Sequence, residues 1–481
     1  MSLESLDAVL PASLGVFPGL FLTGRYVLSE GEASHAGNGL KAVPLPDGTI
    51  AVAVADTGSR GAPAAMATAR LLAVLRGHLE SGATLDQALV AVDRYAERSP
   101  FGIGATMAVA LISPGDGAVE VGSAGHAAPL VLGASGVSRV VSLPPTRPLG
   151  LGGSAVVERL VLDHGEALLL HTDGLLTARD GAVLDGAERL RAAIAEAGPL
   201  PGPGAAFGDV LSEAVLVAMQ RPEGYVDDVA LLIAQRSAPP APFSETAAAQ
   251  GPSPAEVAAL FATWLDGLGV GLIDHVGLSG AVGELAEGLS SADRPRFDLG
   301  AELTADGMVE VHLRLAEVWR PETERQRRAV VVAGGLVSSL VLRPHGSGTE
   351  LLVRQEVGRP VQLLASGRTD RRTGRPLTAA VPQVELEVRA TRWGVCFSGA
   401  IGADDEERFR AVIHEETWAG THSTVLDLTE VTRLSGHAVR VLFDYHNRTE
   451  SSGARVTVVT VAGSAPDQVL TQAAFPHQVA G

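Results

Sequence analysis

Thr49-Ile-Ala-Val-Ala-Val-Ala-Asp56-Thr-Gly-Ser-Arg-Gly61 decides how the first half of the chain is read. The apolar run predicts a short strand, and the Asp-Thr-Gly-Ser-Arg-Gly that follows predicts a turn. Residues 63–79 then carry apolar side chains at helical spacing. Downstream, 105–113, 118–123 and 129–133 read as strands of a meander with Gly and Asp at the turns. Residues 167–171 read as another strand running into Thr172-Asp-Gly, and 229–234 as a closing strand preceded by Asp227-Asp228. Strands and helices in this order predict an α+β sandwich.

Asp56, Asp173 and Asp227 share one local context: each sits where an apolar strand meets a turn. In stacked sheets such junctions can converge on one end. Three carboxylates gathered there would repel and take up protons unless cations neutralised them. Oxygen ligands of this kind suit Mg²⁺ or Mn²⁺, which polarise bound water and neutralise phosphoryl oxygens. By itself, an Asp-Gly after a strand is ordinarily a turn and Asp227-Asp228 is compatible with a solvated loop. Periodicity leaves open whether the three meet.

Composition narrows the function classes. The chain has 481 residues, 46% hydrophobic and 19% charged, which predicts two to four domains with real cores. A formal net charge of −18 argues against a nucleic-acid partner, since phosphate neutralisation needs clustered cations. No apolar stretch is long enough to span a bilayer, and the leading Met-Ser-Leu-Glu-Ser-Leu-Asp has acids where a secretory signal has bases. A soluble, cytoplasmic protein is expected. Cys396 is the only cysteine, which excludes an intramolecular disulfide; its apolar setting predicts a buried strand residue. Lys41 is the only lysine.

The segment from Ser237-Ala-Pro-Pro-Ala-Pro to Gly251-Pro-Ser-Pro lacks periodicity and reads as a linker, and a polar, basic stretch follows residue 363. The predicted division is 1–236, a linker at 237–252, a second domain at 253–363, a linker at 364–380 and a third domain at 381–477.

Residues 1–236 resemble the phosphatase domain of the stage II sporulation protein E and RsbU group, within the PPM-type serine/threonine phosphatases. The resemblance runs through Ala42-Val-Pro-Leu-Pro-Asp-Gly, Asp56-Thr-Gly-Ser-Arg-Gly-Ala-Pro, Ser123-Ala-Gly-His-Ala-Ala-Pro-Leu, Arg147-Pro-Leu-Gly-Leu, His171-Thr-Asp-Gly and Asp227-Asp-Val-Ala-Leu-Leu, in that order. It implies an α-β-β-α sandwich with two Mg²⁺ or Mn²⁺ ions. Asp56 would bridge them with the Thr57 carbonyl nearby, Asp173 and Asp227 would complete the first ion's site, and Asp228 would support it. His126 is expected to be structural.

One family stretch departs. Where the resemblance implies two aspartates, this chain has Asn38 and Lys41. An amide offers no charge and a lysine adds the wrong one, so the second ion site is expected to be degenerate.

Residues 253–363 resemble the histidine-kinase-like ATPase fold of anti-sigma-factor kinases in Val282-Gly-Glu-Leu-Ala-Glu-Gly, Val318-Trp-Arg-Pro and His345-Gly-Ser-Gly-Thr-Glu-Leu. Helices are expected at 254–268 and 276–289, strands at 308–314 and 348–355. Gly288, Leu315, Glu317, Arg327 and Ala329 replace the residues that would hold magnesium, adenine and phosphate, so ATP binding is not expected although Glu284 stands at the family's base position. Residues 381–477 alternate strand and helix and resemble the STAS domain of anti-sigma-factor antagonists, with Val425-Leu-Asp-Leu-Thr-Glu-Val-Thr-Arg-Leu as strand and switch loop. Gly436 aligns with the family's phosphorylated serine; Ser435 beside it is either an inherited phosphorylation site or a helix N-cap.

The expected architecture is therefore an α+β multidomain chain: a PPM phosphatase sandwich, an ATPase-like α/β sandwich and a STAS-like α/β domain. The resemblance implies a metal-dependent phosphatase acting on a phosphorylated protein, an anti-sigma-factor antagonist, with an anti-sigma factor as a further partner. The alternative is a catalytically weak or inactive pseudophosphatase serving as a multidomain regulatory scaffold.

Overall fold

The computed structural model describes residues 11, 13–29, 37–59, 61–133, 137–153, 155–176, 186–197, 201–202, 204–220, 225, 227–248, 250–289, 296–365, 386–391, 394–401, 405–434 and 436–480. Ser435 and residues 366–385, which include the end of the expected second linker, lie outside them.

Two sheets stack in the first part of the chain. One is antiparallel and runs Asn38–Pro44, Ile50–Asp56, Thr106–Ile112, Ala118–Ala124, Val156–Val161. The other runs Gln362–Ala365, Leu20–Leu28, Val229–Arg236, Ala167–His171, Leu130–Leu132, Ser138–Val140. The alternation in Ile50–Asp56 explains the stacking. Ile50, Val52 and Val54 face the other sheet and pack with Leu22, Tyr26, Leu168 and Leu232. Ala51, Ala53 and Ala55 face outward against Leu71, Leu75 and Leu89 of the helices Ala62–Glu80 and Leu85–Ala96. Period-two geometry separates the two sets, and the small Ala side lets a helix lie close. Each Val so buried stabilises by roughly 1.5–3 kcal/mol. The helices Gly186–Glu196 and Ala205–Met219 cover the second sheet through Leu190, Leu211 and Val215. An α-β-β-α sandwich results.

The expected meander is corrected. Thr106–Ile112 and Ala118–Ala124 are neighbours, but Leu130–Leu132 belongs to the other sheet. The chain crosses between sheets at Gly125, whose φ of 61° turns the backbone and whose missing side chain admits Pro148.

The middle part forms an antiparallel sheet, Phe243–Ala247, Phe297–Leu303, Met308–Leu315, Gly348–Glu356, Ser339–His345, whose apolar side shares one core with the helices Pro254–Leu268, Leu272–Leu289 and Glu324–Leu336. Two boundaries differ from expectation. The stretch read as a linker supplies the strand Phe243–Ala247, paired with Phe297–Leu303; as a short edge strand it needs little apolar patterning. At the other end, Gln362–Ala365 joins the first part's sheet parallel to Leu20–Leu28, and Gly358–Pro360 pairs with Ser13–Gly15. Asp209 ties the join, accepting from Arg25 at 2.7 Å and from Arg359 at 3.1 Å. Arg327 and Ala329, which replace residues implied to hold nucleotide, lie in the helix Glu324–Leu336, started by a Thr323–Gln326 capping box.

The last part has a five-stranded sheet, Glu387–Thr391, Gly394–Ile401, Thr424–Leu434, Val456–Val461, Gln478–Ala480, antiparallel at the first pair and parallel thereafter. It packs with the helices Glu406–Glu416, Gly436–Ser451 and Ala465–Gln472. Cys396 is buried in it, and burial pushes its thiol pKa up, as suits an inert core residue. Leu151 of the first part inserts into this core, Arg147 lies over the Phe443 ring at 5.1 Å, and Arg440 Nη1 donates to the Pro100 carbonyl at 2.8 Å. Among the described residues no helix is long and apolar enough to cross a membrane.

Candidate metal centre

Asp56, Asp173 and Asp227 come together at one end of the sandwich. Asp56 ends its strand on the face turned toward the second sheet; Asp173 opens the single-turn helix Asp173–Leu175 just after Ala167–His171; Asp227 precedes Val229–Arg236. The last two strands are hydrogen-bonded neighbours, which brings the latter two acids close. Gly174 makes the approach possible, because a Cβ there would meet the Asp228 carbonyl oxygen at 2.2 Å.

The electrostatics agree. Burial first, then the charges of Asp173 and Asp227, push the Asp56 carboxyl well above the usual carboxylate range; Asp56 and Asp173 are close enough to share a proton. The Gly58 N–H donates to Asp56 Oδ1 at 2.6 Å and opposes that rise. Asp56 is buried, Asp227 half-buried and Asp173 exposed, so the cluster opens to solvent on one side. Concentrated negative charge on oxygen donors fits a hard divalent cation, and Asp56, Asp173, Asp227 and the Thr57 carbonyl are the groups that would hold it. Thr57 is positioned by its N–H, which donates to the Gly37 carbonyl at 3.1 Å.

Asp228 is engaged otherwise. Its Oδ2 accepts from the Tyr26 hydroxyl at 2.9 Å, and its Oδ1 from the Ser29 N–H at 2.9 Å and hydroxyl at 3.0 Å. Burial and Asp228 both push the Tyr26 phenol pKa well up, which keeps it a donor. Asp228 is expected in a supporting role, and the sequence does not foresee its partners Tyr26 and Ser29. His126 is also structural: Nδ1 meets Thr106 Oγ1 at 2.8 Å and Nε2 the His171 carbonyl at 3.0 Å, and burial lowers its pKa to about 3. A neutral imidazole thus braces the strand that delivers Asp173.

The two departures behave differently. Asn38 lies directly across from Asp56 and is buried at the centre. Lys41 pairs with Ala53, three residues along the strand, roughly 10 Å away. An odd offset places it on the helix-facing side, so the added cation does not sit among the carboxylates. A separate group, Glu302, Glu310 and His312, brings ligand atoms within 4.8 Å of one another, but Arg354 neutralises Glu310 at 2.8 Å and Glu350 occupies His312 Nδ1 at 3.0 Å.

Residues 46–237 match the sequence profile of the family described as Stage II sporulation protein E, SpoIIE. Over these residues the chain is similar to the SpoIIE-family serine/threonine phosphatases. Among solved structures, the RsbU and RsbW domains of Rv1364c from Mycobacterium tuberculosis are similar at 27% identity and a TM-score of 0.64, over 73% of this chain and 99% of that one. The PP2C phosphatase domain of SpoIIE from Bacillus subtilis, with a fragment of its regulatory domain, is similar at 17% identity and a TM-score of 0.38, over 45% of this chain and 63% of that one. RsbX in complex with magnesium is similar at 17% identity and a TM-score of 0.35, over 45% of this chain and 96% of that one.

Proposed function

We propose that the chain is a Mg²⁺- or Mn²⁺-dependent protein phosphatase that removes phosphate from a phosphoserine or phosphothreonine of an anti-sigma-factor antagonist. The observation that carries this reading is the convergence of Asp56, Asp173 and Asp227, from stretches more than 50 residues apart in sequence, on one solvent-open end of a SpoIIE-family sandwich. Bound divalent ions would supply an activated water and neutralise the phosphoryl oxygens. Asp56 would face both ions, Asp173 and Asp227 the first, and Asp228, saturated by Tyr26 and Ser29, would hold the Asp227 loop in place.

The middle part is proposed as an ATPase-like domain without ATP chemistry, and the last part as a STAS-like domain; both would dock partners, an anti-sigma factor among them. Support for the middle part is the likeness to the RsbU and RsbW domains, whose 73% coverage runs beyond the profile-matched residues. Ser435 is the proposed phosphorylation position of the last part, and mass spectrometry of the protein from cells would find a phosphate there or exclude it.

The deciding experiment is phosphate release from a phosphoserine protein by the full chain across a manganese titration, beside Asp56→Asn. Release that follows manganese and vanishes in the variant supports the phosphatase. No release at any manganese concentration leaves the pseudophosphatase scaffold as the reading.

A further inference from the structure

Asn38 is 2% exposed and sits opposite Asp56 in the strand register. Its amide nitrogen donates to the Asp228 carbonyl at 2.6 Å and to Thr172 Oγ1 at 3.3 Å. Those acceptors belong to the residues adjoining the two other acids: Thr172 precedes Asp173, and Asp228 follows Asp227. Thr172 Oγ1 in turn accepts from the Ala230 N–H at 3.0 Å, so both acid-bearing loops are bound into one network. One side-chain NH₂ on the Asp56 side of the centre therefore pins both loops that come from the facing sheet.

We propose that Asn38 is a positioning residue that sets the spacing of Asp173 and Asp227 relative to Asp56, and not a ligand that has lost its charge. The chemistry of the network requires an amide. A carboxylate has no hydrogen to give; at position 38 it would set an anionic oxygen against the Asp228 carbonyl at hydrogen-bond distance and add negative charge beside Asp56. Leaving that carbonyl and Thr172 Oγ1 without their shared donor costs more than an exposed hydrogen bond would, because both are buried. The amide's oxygen is the only atom of this side chain with lone pairs for a cation, and it is uncharged. Restoring the charge would thus damage the centre that it was expected to complete.

This inference rests on the reading of the carboxylates as a metal centre, so its test reads ion binding and stability and uses no substrate. The metal-free 481-residue chain, Asn38→Asp and Asn38→Ala are titrated with manganese, followed by electron paramagnetic resonance well below the melting temperature, and melted without metal. A positioning amide predicts that both variants bind manganese about tenfold more weakly or worse, the usual cost of losing a residue that orients ligands, and that both melt lower. A lost ligand predicts that Asn38→Ala binds as wild type does and that Asn38→Asp binds tighter or takes up an additional ion; either result overturns the proposal. If Asn38→Asp does not fold, Asn38→Ala decides. If the wild type binds no manganese, the metal reading falls, and the melting comparison alone judges the network: unchanged melting in both variants refutes it.

Discussion

The Tyr26 hydroxyl donates to Asp228 Oδ2 at 2.9 Å across 202 residues of sequence, joining the strand Leu20–Leu28 to the acid pair beside the centre. Tyr26→Phe removes the donor and leaves a buried carboxylate oxygen with one partner fewer. A loss of about 1.5–3 kcal/mol is expected, the range for hydrogen bonds to charged groups. Urea unfolding of the full chain followed by hydrogen exchange in Val229–Arg236 measures it; unchanged exchange there would remove Tyr26 from the network.

Asp56 carries a stability cost at neutral pH when no ion is present. Its pKa is raised in the folded state, so its contribution is most favourable below the unfolded carboxylate pKa of about 4 and is lost as pH rises through the higher folded value. Asp56→Asn is therefore expected to melt higher than wild type in chelator at pH 7 and to lose the wild type's stabilisation by manganese. Thermal scans with and without manganese read both signs.

Glu350 shows the opposite sign. Burial alone would raise its pKa, but hydrogen bonds from Arg343, Arg314 and His312 outweigh burial and hold it at about 2. Its contribution is present above the unfolded value of about 4.3 and is lost as pH falls toward 2. Glu350→Gln should cost about 1–3 kcal/mol near neutral pH, with the deficit shrinking below pH 4. Hydrogen exchange in Met308–Leu315 and Gly348–Glu356 across pH 2–7 follows it, and a deficit independent of pH would sink the assignment.

Among the described residues Leu151, Arg147 and Arg440 join the last part to the first, so changes there should loosen the docking. Leu151→Asp would put a charge into an apolar core, and Arg440→Glu would lose the donor to the Pro100 carbonyl. Small-angle scattering should report a larger radius of gyration for Leu151→Asp, and hydrogen exchange should rise in 100–105 and 147–151, which bond to each other through Gly104 and Leu149. An unchanged radius and unchanged exchange would contradict this docking.

What could be read from sequence followed local chemistry. Asp56, Asp173 and Asp227 stood out because each sits where an apolar strand meets a turn, but only the resemblance to the phosphatase family implied that they meet. Tyr26 and Ser29 gave no such signal, since their partner is some 200 residues away and a Tyr in an apolar run reads as core. Lys41 was misplaced although the sequence held the answer: three residues from Asn38 along a strand is an odd offset, which turns the side chain to the other face. Phe243–Ala247 was hidden by its edge position, and Leu130–Leu132 by a sheet change that hydrophobic pattern does not record. The role of Asn38 depends on two acceptors that only the folded backbone supplies.

The pairing of Gln362–Ala365 with Leu20–Leu28 has a practical consequence for anyone dividing the gene. A phosphatase fragment stopped at residue 236 would strip the outer strand from that sheet and bare the hydrogen-bonding edge of Leu20–Leu28, which invites strand addition by other molecules. Its aggregation would then say nothing about whether the catalytic unit is sound. The smallest piece that closes this sheet runs through Ala365, so a fragment that keeps the first part's sheet whole must carry the middle part with it.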